Sequence, residues 1–205
     1  MMALYSSENC LNCHRVRFVL AEKGINVEII HVEQDRAATA DLAELNPYGE
    51  TPTLVDRDMV LYGTWVVTEY LDERYPHPPL MPVDPVSRSR LRLAMYRMYR
   101  DWIDTGKIIE TSSGAKKVAT AKKHLVDSLV ASDDLFGLTP FVLNDELSLA
   151  DCALGPLLWR LPSYDLGMTD KQTPNLHSYM DRLFQRDSFQ RSLTEVERHL
   201  REPAR

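Results

Sequence analysis

The sequence has no apolar run approaching the roughly 18 residues that a membrane span needs, so it does not read as a helical membrane protein. Cysteine is scarce: Cys10, Cys13 and Cys152 are the only three. An odd number argues against a disulfide framework. There is no second C-x-x-C, and the third cysteine lies far along the chain, so a cysteine-based zinc site is not expected. His31, His124, His177 and His199 stand singly, without H-x-x-x-H spacing, and no metal site is assigned. G-x-G-x-x-G, the P-loop, H-E-x-x-H and G-x-S-x-G are all missing, which removes the common dinucleotide, nucleotide, metalloprotease and serine-hydrolase readings. Internal repeats and low-complexity tracts are absent too. Met1 to Tyr5 enters a strand-like pattern without the basic flank, apolar core and cleavage site of a signal peptide, so a cytoplasmic location is expected.

What is present is ordinary globular composition, 44% apolar and 26% charged, in 205 residues, enough for one large domain or two small ones. The net charge of −6 is unevenly placed. Residues 1–76 hold 6 Lys/Arg against 13 Asp/Glu, and residues 77–205 hold 18 against 17. A half so poor in cations is a weak nucleic-acid surface, because phosphates need positive charge, so direct nucleic-acid binding is not expected. It suits a basic protein partner, or is simply a solvated acidic face.

The pattern predicts a strand at Ala3–Ser6, a helix over Cys10–Lys23 stopped by Gly24, a β-branched strand at Val27–Val32 and a short helix at Thr39–Leu45 ended by Asn46-Pro47. Thr53–Val55 and Met59–Tyr62 form a hairpin around Asp56-Arg57-Asp58, and Thr64–Tyr75 is a helix. This βαβ-α-ββα order is thioredoxin-like. Pro76, Pro78, Pro79, Pro82 and Pro85 then break all regularity, which marks residues 77–86 as an extended linker. From Ser87 onward only helix is predicted, roughly 87–109, 115–132, 149–161, 174–186 and 189–201. The fold class is an α/β thioredoxin-like domain over 1–76 and an all-α domain over 87–205. Leu91, Leu93, Met95, Tyr96, Met98 and Tyr99 on the first of these helices exceed what one helical face buries, so a homodimer is expected.

Three segments are candidates for chemistry or structure. Between a helix and a hairpin, Thr51-Pro52 is expected to be a cis bond, with Thr51 lining a small cleft opposite Cys10; the alternative is a trans proline opening an edge strand. Cys10-Leu11-Asn12-Cys13 sits at a strand-to-helix turn, where a helix N-terminus favours a thiolate, and His14 and Arg15 add positive character. The alternatives are redox or glutathione chemistry, or a passive surface Cys10 beside a buried Cys13. Ser148-Leu149-Ala150-Asp151 is a capping box that starts an apolar helix, a folding role. Arg88, Arg90, Arg92, Arg97 and Arg100 form a solvated face, or one that receives an acidic partner segment.

Pro47-Tyr48-Gly49-Glu50-Thr51-Pro52-Thr53-Leu54-Val55 and the capping box resemble glutathione transferases. Leu20–Gly24, the run Glu69–Val83, Pro156–Pro162 and Arg186–Phe189 resemble, more narrowly, the stringent starvation protein A family of that superfamily. The resemblance spans residues 3 to 200 and implies the glutathione-transferase fold and association with RNA polymerase holoenzyme in transcription under starvation and stress. It also implies a homodimer (or a heterodimer with a related protein), no required cofactor, and a partner-contact surface at Pro76, His77, Pro78 and Pro79. The glutathione-like cleft would fall at Cys10, Thr51, Pro52, Gly63 and Thr64. Transferases hold the γ-glutamyl group with an acidic residue and a serine where this chain has Gly63-Thr64, so glutathione binding is expected to be weak at most. Asp84 stands where the family is expected to have an aromatic residue. The resemblance assigns no catalytic residue. The competing class is an enzyme, a glutathione-dependent transferase or thiol–disulfide oxidoreductase using Cys10 with Cys13 as the second candidate thiol.

Overall fold

The computed structural model describes residues 2–33 and 36–201, and its chain divides into two compact units. The first is Met1–Pro79 with Asp187–Arg205; the second is Leu80–Arg186.

The first unit opens with β1 (Met2–Ser6), α1 (Leu11–Glu22), β2 (Glu28–His31) and α2 (Arg36–Leu45). It continues with β3 (Thr53–Asp56), β4 (Met59–Tyr62) and α3 (Thr64–Arg74). The sheet runs β2-β1-β3-β4, with β1 parallel to β2 and antiparallel to β3, and β3 antiparallel to β4. Leu4 and Leu54 stand opposite each other in register and are both fully buried, which fixes the core face of the central strands. α1 ends as the sequence predicts: Gly24 takes φ 63°, and the Ile25 and Gly24 N–H groups return to Leu20 and Ala21 carbonyls.

The second unit is helical: α4 (Pro85–Met98), a π-helical turn at Tyr99–Ile103, α5 (Asp104–Thr111), α6 (Ala115–Ala131) and α7 (Asp133–Phe136). After these come α8 (Leu149–Arg160), a 3₁₀ turn at Leu161–Tyr164 and α9 (Pro174–Phe184). Asp84 caps α4, its carboxylate accepting the Ser87 N–H at 2.8 Å. The predicted capping box at α8 is formed in full. Asp151 does more than close it, also accepting the Val142 N–H at 2.8 Å and the Tyr179 hydroxyl at 2.7 Å. On α4, Leu91, Met95 and Met98 face inward, while Val86, Leu93 and Tyr96 stay exposed.

The sequence pattern runs the helical domain on to residue 205, but the structure returns the last helices, α10 (Asp187–Ser192) and α11 (Glu195–His199), to the first unit. The reason is a buried polar join. Arg17 on α1 donates to Glu197 at 2.7 Å and to the Ser192 carbonyl at 3.0 Å, with Arg17 and Glu197 both buried. Phe189 meets the Phe18 ring edge-on at 5.1 Å, and Ser188 hydrogen-bonds Glu22. Removing one member of a buried ion pair strands the other charge, at a cost of about 3–5 kcal/mol. Glu197→Ala is therefore expected to lower the urea midpoint by an amount equivalent to about 3 kcal/mol or more. A loss under about 1 kcal/mol would mean that the join behaves like a solvated surface pair.

Candidate functional site

The edge of the first unit where β1 runs into α1 holds the candidate cleft. Asn12, Asn46, Tyr48, Glu50, Thr51, Pro52, Tyr62, Gly63 and Thr64 line a cavity of about 420 Å³. Four of the five residues expected at the cleft therefore come together: Thr51, Pro52, Gly63 and Thr64. The Thr51–Pro52 bond is cis. Cys10 is the exception. It is not among the lining residues; its sulfur accepts the Cys13 N–H at 3.3 Å as the N-cap of α1.

The loop that carries Thr51 is shaped by Asn46, a residue that sequence reasoning treats only as a helix end. Asn46 is buried; its side-chain amide donates to the Glu50 carbonyl at 3.1 Å and to Thr53 Oγ1 at 3.0 Å, and its Oδ1 accepts the Tyr48 N–H. A buried amide with so many partners fixes the loop more firmly than turn propensity does. Ser7 joins this loop to α1: its hydroxyl shares a 3.0 Å hydrogen bond with Thr51 Oγ1, and its N–H donates to Cys13 Sγ at 3.4 Å.

The two cysteines are electrostatically unequal. A hydrogen bond from the Cys13 side chain draws the Cys10 thiol down to about 6 against the opposing effect of burial. The Cys13 and Asn12 backbone donors and the Arg17 charge add to the lowering. Cys13 is fully buried, and burial, together with the neighbouring Cys10, raises its thiol far above the ordinary value. The positive influence expected from His14 and Arg15 comes instead from Arg17. His14 is buried against Ser192, with Nε2 at 3.0 Å from its hydroxyl, and Arg15 reaches Asn12 Oδ1.

Gly63, ahead of α3, adopts φ 80° and ψ 112°, a conformation that side chains rarely take. Thr64 is buried at the start of α3. The position thus offers no carboxylate toward the cavity.

The four proline-segment residues lie elsewhere. Pro76, His77, Pro78 and Pro79 are all exposed, and the His77–Pro78 bond is also cis. Beneath them the fully buried Lys23 ammonium donates to the Tyr75 carbonyl at 2.6 Å and the Pro78 carbonyl at 2.7 Å, and pairs with Asp72 at 2.7 Å. Lys23 has no local signal for this role, since its partners lie about fifty residues on. Among the described residues, no group of three or more His, Cys, Asp or Glu is placed to hold a metal ion, and no helix is long and apolar enough to cross a membrane.

Family models for the glutathione S-transferase N-terminal domain and C-terminal domain match residues 9–74 and 100–182. A stringent starvation protein A homolog of Coxiella burnetii is 46% identical over 98% of this chain and 96% of its own length. A second, from Haemophilus influenzae, is 44% identical over 96% and 92%. A glutathione S-transferase of Methylobacillus flagellatus, solved with glutathione bound, is 26% identical with a TM-score of 0.79, covering 94% of this chain and 99% of its own.

Alkylation of Cys10 tests the electrostatics directly. Only the thiolate reacts, so with its ionisation near 6 the rate should fall about tenfold per pH unit below that value and level off by neutral pH. A midpoint at about 8.5, the ordinary thiol value, would leave Cys10 a passive thiol.

Proposed function

Since the chain belongs to the stringent starvation protein A family, with the glutathione-transferase fold, we propose that it acts by protein–protein contact, as a transcription regulator docked on RNA polymerase holoenzyme under starvation and stress. The observation that carries this reading is the display of Pro76–Pro79. The segment's carbonyls at Tyr75 and Pro78 are held inward by a buried ammonium, and its side chains all face solvent. Three prolines fix three φ angles, so little conformational freedom remains to be lost on docking. His77, held outward between prolines, is the natural anchor: an aromatic ring with a hydrogen-bonding tip.

A glutathione-dependent activity is the weaker reading. The cavity is of suitable size, but Gly63 places no carboxylate at the position where transferases hold the γ-glutamyl group, and the Glu50 that lines the cavity lies on a different loop. A side chain at this φ would also add strain, on the order of 1–3 kcal/mol. The protein therefore works without a required cofactor, and glutathione binds weakly at most. A homodimer completes the reading, with the exposed Leu93 and Tyr96 of α4 as apolar surface that a second copy covers.

Sedimentation of the protein with purified holoenzyme tests the docking. The free protein should sediment with the mass of two copies, and the His77→Ala, Pro78→Ala double variant should bind polymerase more weakly by about 1–3 kcal/mol, the size of a modest hot spot. Equal affinity, with unchanged circular dichroism and mass, would make the segment a spacer and place the contact elsewhere. In calorimetry, glutathione should give no low-micromolar binding; a dissociation constant in that range would favour the enzyme reading.

A further inference from the structure

The two cysteines at the start of α1 are not needed for docking, yet their surroundings are more specific than a passive pair requires. Cys10 is partly buried at the N-cap, and Cys13 is fully buried one turn on, the spacing at which side chains on a helix meet. The Cys13 backbone N–H donates to the Cys10 sulfur at 3.3 Å. The inner sulfur in turn accepts the Ser7 N–H at 3.4 Å, and Ser7 is hydrogen-bonded through its hydroxyl to Thr51. Beside the pair, Asn12 and Thr51 open onto the 420 Å³ cavity, polar and large enough for a small molecule's backbone-like groups.

We propose that Cys10 and Cys13 form a thiol–disulfide exchange site, in which Cys10 attacks a low-molecular-weight disulfide and Cys13 resolves the product. In the first step Cys10 Sγ, as thiolate, bonds to one sulfur of the substrate. The substrate S–S bond breaks and its other half leaves as a thiolate, which takes a proton from solvent. In the second step Cys13 gives up its proton, its sulfur bonds to Cys10 Sγ, and the remaining half leaves as a second thiol. Two protein thiols have become one disulfide, and one disulfide has become two thiols; no other oxidant or reductant is involved.

The environment divides these roles. An outer sulfur ionised near 6 is a thiolate when the substrate arrives, whereas a buried inner sulfur stays protonated until the mixed disulfide forms beside it. The magnitude decides where the difference is visible. A thiolate of low pKa is intrinsically less nucleophilic, so near neutrality the gain over an ordinary thiol is only about twofold. At pH 6, where an ordinary thiol is almost wholly protonated, the net gain is about tenfold.

The test uses the full chain, reduced, at pH 6, with 2-hydroxyethyl disulfide in one arm and oxidised glutathione in another. Free thiols are then blocked with N-ethylmaleimide, and the products are read by intact mass and peptide mapping. Wild type should lose two hydrogens, carry a Cys10–Cys13 bond and retain no adduct. Cys13→Ser, or Cys13→Ala if the serine variant is misfolded by circular dichroism, should stop with the adduct on Cys10. Cys10→Ser should leave Cys13 free. Exchange with both probes points to sulfur chemistry alone, and exchange with glutathione disulfide in preference points to a contribution from the neighbouring cavity; either supports the site. Wild type that keeps its adduct as long as the Cys13 variant does, leaves both thiols free, or oxidises at Cys152 would overturn the proposal. Polymerase binding plays no part in the readout, so the docking reading stands or falls separately.

Discussion

A guanidinium can be buried only where its donors are met, and Arg17 meets that condition by gathering the first unit around itself. Its Nη1 reaches Ser6 Oγ at 2.7 Å and the Ser7 carbonyl at 3.3 Å, where β1 ends; Nε and Nη2 reach Ser192 and Glu197. One side chain thus joins the strand end, the first helix and the C-terminal segment. The consequence spreads outward from Ser7, whose hydroxyl meets Thr51 and whose N–H meets Cys13. The cleft and the cysteine pair are both positioned through the same few atoms, and the Arg17 charge helps to set the acidity of Cys10.

The features visible in the sequence are those whose causes are local. Gly24 stops a helix because its φ is positive, Ser148 and Asp151 close one helical turn on themselves, and the run of prolines from Pro76 admits no regular structure. Each operates within about four residues, so a linear pattern contains it. Thr51 and Pro52 are placed at a cleft by the helix-then-hairpin order around them, whereas the assignment of Gly63 and Thr64 to the same cleft rests on family resemblance, which supplies long-range placement that propensity does not.

What the sequence hides is the pairing of buried polar groups across the chain. Arg17 and Glu197 are 180 residues apart, and nothing near either residue marks it as one half of a pair. Lys23 reads as an ordinary helix-end cation, yet its side chain is wholly buried beneath Tyr75 and Pro78. The same blindness explains the end of the chain: α10 and α11 look like a continuation of the helices before them until Phe189, Ser192 and Glu197 are seen against α1. Cys10 is half hidden in this way. Its place at the helix start is legible, but the hold of the Cys13 N–H on its sulfur, and its place outside the cavity lining, are not.

Burying those cations also changes how the first unit looks from a distance. Arg15, Arg17 and Lys23, half of the six Lys/Arg in residues 1–76, are withdrawn from the surface. Among the described acidic residues of that segment, Asp72 alone is withdrawn with them. At the surface of residues 1–76 a surplus of carboxylates is therefore opposed only by Arg36, Arg57 and Arg74, while the same unit's C-terminal segment adds exposed Arg191 and Arg198 beside Asp187 and Glu195, and the field over residues 1–76 is negative. Such a field repels polyphosphates and draws in a basic surface before any contact forms. It fades over about 8 Å at physiological salt, so its influence lies in the rate of encounter more than in the strength of the final grip.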